Sequence, residues 1–355
     1  FFIQDIYEGE GLKGIPRGTV KSLRLHAYEY AYVKTRSDHN WHGIQSGWDI
    51  KRMLGTVPVE EDGSVIFKAP ANTPISIQPL DKDGVAIQWM RSWVTGQPGE
   101  VVSCIGCHED QNQIAIPKRV IASQKAPSAL TLPEGGTRSF TFDLEVQPIL
   151  DRACIACHNG EGKAFDLRGG KKDKLGYGTS YLNLHPYVHR QGGEGDMVVL
   201  QPYEYHPNTS ELVRLLKKGH HNVKLTDKEW KTLYNWIDYN APDKGYFNAN
   251  VLTDLPYKGF DQIKRRKELT DKYANGAGVD WKKEIADYAD YLKKQGPITP
   301  VMPEKAAPVK EKTLKVKGWP FGADRIKEML AKEKETRKVV EIAPGVKVNF
   351  VRIPA

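Results

Sequence analysis

No stretch of this chain approaches the roughly 18 uninterrupted apolar residues that a membrane-spanning helix needs. No block of one charge stands out either: the net charge is +8, but the 52 basic residues are mixed with 44 acids rather than gathered in an arm. A nucleic-acid partner is therefore not favoured. The 32 Gly and 22 Pro are spread along the chain, and aromatics accompany them, which excludes collagen, coiled coil and wholesale disorder. The sequence opens Phe1-Phe2-Ile3-Gln4, without a Met or a charged leader, so a processed or truncated piece of a longer product is expected. At 355 residues, two or three domains are expected.

Cysteine is scarce as well, and all four copies fall in two pentads. These are Cys104-Ile105-Gly106-Cys107-His108 and Cys154-Ile155-Ala156-Cys157-His158. C-x-x-C-H is the attachment pattern of c-type haem. Two thiols add to the two porphyrin vinyls, and the following imidazole supplies the proximal iron ligand. Three other readings compete. A structural zinc site wants its C-x-x-C pairs about 15–20 residues apart, and the spacing here is far longer. A thioredoxin-like pair follows a strand of a βαβ unit and has no need of the His. Two local disulfides would leave both histidines unexplained. Two covalently bound haem c groups are thus expected, with Cys104, Cys107, Cys154 and Cys157 as attachment points and His108 and His158 as ligands. Covalent haem is added outside the cytoplasmic membrane, so the mature chain is expected to be periplasmic, extracellular or organelle-lumenal.

The pattern along the chain predicts an α+β protein in four parts. Residues 1–110 read as a small β-sheet or sandwich domain ending at the first pentad. Val20–Tyr32 alternates, Asp62-Gly63 and Asp83-Gly84 are turns, and Ser64–Lys68, Ile75–Pro79 and Val85–Trp93 are strands. Residues 111–138 read as a surface linker. Residues 139–245 read as a helical, class I cytochrome c-like domain. Asp143–Cys154 is a helix with Val146, Ile149, Leu150 and Ala153 on its buried face. Ser210–Lys218 is a second helix stopped by Gly219. A third helix follows the capping box Thr226/Glu229 and buries Trp230, Leu233, Trp236 and Ile237. Residues 246–355 read as a helical extension with a Pro-rich linker at Pro297–Pro308. Its helices are expected at Asp261–Ala274, Asp280–Lys294 and Ala323–Lys338, with a strand-like end at Val339–Ile353.

Function turns on the sixth ligand, because a saturated haem moves electrons whereas an open one binds small molecules. The loop before the last cytochrome-like helix reads Gly219-His220-His221-Asn222, with no Met, so one of His220 and His221 is expected opposite His158. For the first haem the candidates are His42 and His39 in an aromatic loop, then His26 on a strand. An open or Met-ligated iron is the remaining reading, with Met90 the nearest thioether. His185, His189 and His206 are candidates only if the long insert folds over a haem edge.

A family resemblance rests on specific runs. Trp48-Asp49-Ile50-Lys51-Arg52, Leu54–Glu60, Asp62-Gly63-Ser64, Pro70–Ile75, Met90-Arg91-Ser92-Trp93 and Pro98-Gly99-Glu100, leading into Cys104, resemble the middle domain of the hydrazine synthase alpha subunit. Val146–Leu150 through His158 resembles a planctomycete cytochrome c module. Lys218-Gly219-His220-His221 and Trp236-Ile237-Asp238 agree with the same larger family. The resemblance implies a tyrosine ligand four residues after the first motif His, where this chain has Asn112, so the family's active-site chemistry is not carried over and ordinary ligation by His108 is expected. Trp319-Pro320-Phe321 and Val351–Ala355 resemble the lead-in to a formylglycine-generating-enzyme-like domain.

The leading expectation is a dihaem electron-transfer cytochrome working with redox partner proteins, as a homo-oligomer or in a multisubunit complex. The alternative is a haem enzyme with an open first haem, hydrazine synthase alpha-like or peroxidase-like. A structural, polymerising multihaem subunit is a third reading.

Overall fold

The computed structural model describes residues 1–28, 43–44, 50–110, 112, 114, 116, 118–162, 164–174, 176–192, 199–245, 262–273, 279–304, 322–332, 337–343 and 346–351. The chain forms two compact units, Phe1–Lys305 and Ala306–Ala355. The fold is mixed α+β with small sheets.

The first unit begins with strands. β1 (Phe2–Ile3) lies between β4 (Val65–Ile66), which is antiparallel to it, and β6 (Ser103–Cys104), which is parallel. A four-stranded antiparallel sheet runs β5 (Ile75–Leu80), β2 (Ser22–Tyr28), β3 (Lys51–Pro58), β7 (Arg138–Ser139). Alternation in β2 separates two buried faces. Leu23, Leu25 and Ala27 join Ile3, Val57, Phe67 and Ile75 in an apolar core. Arg24 and His26 point the other way and are buried too. The expected strand at Val85–Trp93 does not form. It is reduced to isolated bridges at Ala86 and Val94, and its backbone groups find scattered partners: the Ile87 amide donates to Pro79, the Ile87 carbonyl accepts from Tyr203 and the Met90 carbonyl from the Ser76 hydroxyl. The Gln88 side chain braces the run. Its amide donates to the carbonyls of Gly11 (2.8 Å) and Leu200 (2.6 Å), and its oxygen accepts from the Trp89 amide.

The expected linker at 111–138 is tied into the sheets at Ser128, Thr131 and β7. The helices then follow. α1 (Phe142–Glu145) and α2 (Gln147–Ala153) replace the single helix expected over Asp143–Cys154. The break has a local cause, since Pro148 has no N–H to give to the preceding turn. Gly178 precedes α3 (Thr179–Leu184), which was not expected, and α4 (Glu211–Lys217) and α5 (Asp227–Asp238) match expectation closely. The Thr226/Glu229 capping box is formed in both directions. Phe142, Val146, Ile149, Leu150, Tyr181, Val213, Leu233, Trp236 and Ile237 make this module's core.

A buried ion pair ties sheet to helices. Arg24 reaches from β2 to Asp238 at the end of α5 at 2.8 Å, and both side chains are almost wholly buried. The guanidinium also donates to Gln78 and Asn235, and Asp238 accepts from the Ala86 amide. Part of the segment expected to extend beyond the helices also packs into this unit. α6 (Gln262–Tyr273) is followed by α7 (Trp281–Lys294), whose Tyr288 is buried, donates to Glu145 at 2.9 Å and lies under the Arg138 guanidinium. The second unit holds α8 (Ala323–Lys332) and a hairpin of β8 (Arg337–Ala343) and β9 (Val346–Val351). Among the described residues no helix is long and apolar enough to cross a membrane.

Candidate functional sites

The first pentad begins on β6 and is held against the N-terminal segment by backbone hydrogen bonds, with Cys104 and Cys107 packed on the core of Ile3, Ile6 and Leu12. Gln4 and Asp5 amides donate to the carbonyls of Cys104 and Ile105, Cys107 donates to Glu8, and Gly11 donates to Cys107, all within 3.0 Å. The fit leaves no room for side chains: a Cβ on Gly106 would collide with the carbonyls of Glu8 and Asp5. His108 sits at φ +58°, a left-handed conformation that costs free energy in a non-glycine residue and turns the chain sharply after Cys107.

Cys104, Cys107 and His108 line a cavity of about 510 Å³, walled by Ile6, Ile77, Trp89, Met90 and Leu200 among others. That volume falls within the ~300–1,000 Å³ of cofactor pockets. A flat apolar macrocycle tethered at both sulfurs fits such a space. Burial pushes the Cys107 thiol up to about 12 and raises Cys104, with Glu109 adding to both. Such thiols are not the activated thiolates of a redox pair.

Of the expected partners for this site, Met90 lines the cavity. His26 does not: it is fully buried between the rings of Tyr28 and Tyr239, with neither ring nitrogen hydrogen-bonded. His39 and His42 lie outside the described residues. Asn112, where the resemblance implies a tyrosine ligand, is exposed, and both its amide groups donate to Asp110.

The second pentad leaves the C-terminal end of α2. Cys154 caps that helix, and Cys157 and His158 both donate to its carbonyl at 3.1 and 2.9 Å, so the loop curls back beneath the helix end. Burial lifts the Cys154 thiol to about 12. His158 Nδ1 lies 3.0 Å from the Phe165 carbonyl, and the Phe165 ring packs on the imidazole and stacks on Tyr187. A carbonyl only accepts, so Nδ1 carries the proton and Nε2 keeps a free lone pair, the arrangement of a metal-ligating histidine.

Facing it is His220, with ring centroids 6.1 Å apart. Two imidazoles that ligate one metal from opposite sides through nitrogens about 2 Å away have centroids roughly 6 Å apart. The turn that presents His220 is built by left-handed residues: Gly219 at φ +95° ends α4, and His221 at φ +45° bends away into solvent. Between the two candidates the structure therefore brings His220, not His221, to His158. Burial lowers the His220 pKa, with its two histidine neighbours adding to the effect.

The other insert histidines are engaged elsewhere. His189 bonds Thr209, His206 caps Asn208 and approaches Asp81, and His185 packs on Tyr181. Among the described residues no disulfide joins any of the four cysteines. Among the described residues no group of three or more His, Cys, Asp or Glu is placed to hold a metal ion, as a closed zinc site requires. The Phe165 carbonyl, the Tyr187 stack and the Gln88 clamp are site features that sequence reasoning missed. The Gln88 clamp and the Tyr187 stack join residues distant in the chain, and the Phe165 carbonyl, seven residues from His158, is a backbone group that carries no sequence signal.

An α+β protein with two cysteine–histidine loops, one opening into an apolar cavity and one facing a second imidazole, is the class that the geometry defines. Residues 18–109 match the model of the hydrazine synthase alpha subunit middle domain. The solved structure of Kuenenia stuttgartiensis hydrazine synthase superposes with a TM-score of 0.52 at 19% identity, over 69% of this chain and 43% of that one. The likeness is one of fold, and this chain spans less than half the length of that relative. No curated protein matches the chain.

Proposed function

We propose that the chain is a dihaem c-type protein related to the hydrazine synthase alpha subunit, with an open first haem as reaction centre and a six-coordinate second haem as electron relay. This reverses the order of the two readings made from sequence. What shifts the balance is the family match, which falls on the β module carrying the first pentad. The observation that carries the proposal is the cavity at Cys104, Cys107 and His108.

In this reading His108 would bind the iron of the first haem, and His158 and His220 would hold that of the second. A haem supplies a redox-active iron whose vacant position binds small molecules. The chain's own residues do the rest. Ile6, Ile77, Trp89 and Leu200 keep water away and favour small, weakly polar substrates. Gln88 holds the Trp89 segment and the 199–200 segment in place as cavity walls. Phe165 fixes the tautomer of His158. The protein is exported, and it works beside partner subunits, as the alpha designation of the matching family suggests.

A second reading follows from Met90, whose presence in the same cavity favours a closed, electron-transferring first haem. Low-temperature EPR of the oxidised holoprotein tests the choice. The open-haem proposal expects one high-spin and one low-spin signal in equal amount. Two low-spin signals, with a thioether-to-iron band near the red edge of the visible spectrum, would replace it with the Met90 reading.

A further inference from the structure

The second pentad and the turn that faces it belong to different elements, and contacts outside the motif hold the two together. Arg152, in the last turn of α2 and two residues before Cys154, reaches across to the far side. Its guanidinium pairs with Glu229 of the α5 capping box and donates at 3.1 Å to the carbonyl of Lys224, just past the histidine turn. Its own carbonyl accepts from the Val301 amide at 2.7 Å.

Val301 arrives from beyond α7. Gly296, at φ +91°, follows the end of that helix, and Pro297, Pro300 and Pro303 then recur at every third position. That spacing favours polyproline II, which makes no internal hydrogen bonds and leaves its backbone groups for other partners. Residues 297–304 carry no helix or strand. Two of their backbone groups are used on opposite sides of the site. The Val301 amide holds Arg152, and the Glu304 carbonyl accepts from the Asn222 side chain at 3.1 Å. α7 is anchored by Glu284 on Arg52 and by Tyr288 on Glu145, so this strap starts from a fixed base.

The histidine turn needs such support. Gly219, His221 and Asn222 take φ of +95°, +45° and +61°. Two successive non-glycine residues keep that conformation only where their surroundings impose it. Between turn and strap lies a cavity of about 310 Å³ lined by Ala153, Val223 and Met302, which gives the turn room to relax once its ties are cut.

We propose that Arg152 and Asn222, joined through the strap at 297–304, are positioning residues that hold His220 opposite His158 and so keep the second iron closed. The inference rests on the reading of the second pentad as a haem site and names what controls the vacancy of that site. Both residues act through other groups: Arg152 through Lys224, Glu229 and Val301, and Asn222 through Glu304.

The test uses the holoprotein and three variants. R152M keeps the aliphatic length and removes the guanidinium. N222D keeps a residue that tolerates the left-handed conformation and removes the donor. K125M, the control, removes the exposed Lys125–Glu60 pair of the β module. Intact mass counts the haems, EPR of the oxidised protein reports spin state, and cyanide titration reports how easily His220 is displaced. R152M and N222D are expected to keep both haems and to move part of the low-spin signal to high spin. Cyanide should bind the second haem about tenfold more tightly in R152M, the equivalent of one lost hydrogen bond to a charged group, and by a smaller factor in N222D. Added imidazole should return R152M to low spin, the mark of a displaced ligand in an intact pocket. K125M should match the parent. Parent-like spin state and cyanide affinity in both R152M and N222D, whatever their urea midpoints, would overturn the proposal, as would an equal change in K125M. If the parent itself has no low-spin haem, the haem reading fails and the proposal falls with it.

Discussion

The two pentads share five-residue chemistry and differ in almost everything around it. The first hangs from a sheet edge, clamped by backbone hydrogen bonds to residues 4–11, and its histidine is held in a left-handed turn. The second curls off a helix end, its histidine is oriented by the Phe165 carbonyl, and a second imidazole faces it. The same motif thus sits once in front of an apolar cavity and once in a clasp. On the proposed reading the pentad would supply the attachment, and what lies across from it the difference in reactivity.

The comparison can be broken at its root by removing the sulfurs. C104A/C107A and C154A/C157A are each expected to lose one covalent haem of two, read by intact mass and a pyridine haemochrome assay. A variant that keeps both groups would mean that its pentad has been misread. Next in size is the conversion of one site into the other. H220A is expected to turn the second haem high-spin and able to bind carbon monoxide, while H221A leaves it low-spin. If H221A has the larger effect, the clasp has been assigned to the wrong imidazole.

Asp238→Ala addresses what joins the sheet to the helices. It leaves the Arg24 guanidinium buried without its carboxylate, a change that costs about 3–5 kcal/mol. Urea denaturation should show the midpoint falling in one transition seen by probes in both modules. Replacing Arg24 and Asp238 together by apolar residues should cost far less. A small loss in the single variant would contradict the buried pairing.

The smallest effect is expected at His26. Burial first, then Lys51 and Arg24, hold its pKa well below the ordinary 6.5. The unfolded chain therefore takes up this proton before the folded one does. Stability from this group is complete above about pH 6.5 and is lost as the pH falls below it, by up to ~1.4 kcal/mol per pH unit. His26→Phe should flatten that acid slope, change stability little at pH 7 and leave the first haem's spin state untouched. A changed spin state would make His26 a ligand after all.

Local patterns were the legible part of the fold and of the sites. The pentads, the Thr226/Glu229 capping box, Gly219 as a helix stop and the buried stripe of α5 depend on residues within a turn or two of one another. What could not be read depends on residues far apart. His220 and His221 are equal as letters, and only the backbone bend at His221 separates them. The first cavity is assembled from Ile6, Ile77, Trp89 and Leu200, which share no local signature. The Val85–Trp93 run has strand composition, yet its backbone hydrogen bonds are split among Pro79, Tyr203 and Ser76 rather than forming a ladder. Pro148 lies inside the run whose apolar spacing reads as one helix, and its missing N–H divides that run into α1 and α2.

An open first site and a closed second one should differ in their affinity for a small neutral ligand of reduced iron. The most direct measurement is the stoichiometry of carbon monoxide bound to the dithionite-reduced protein, against total covalent haem in the same sample. One carbon monoxide for every two haems is the predicted result, and none, or one for each haem, would contradict it.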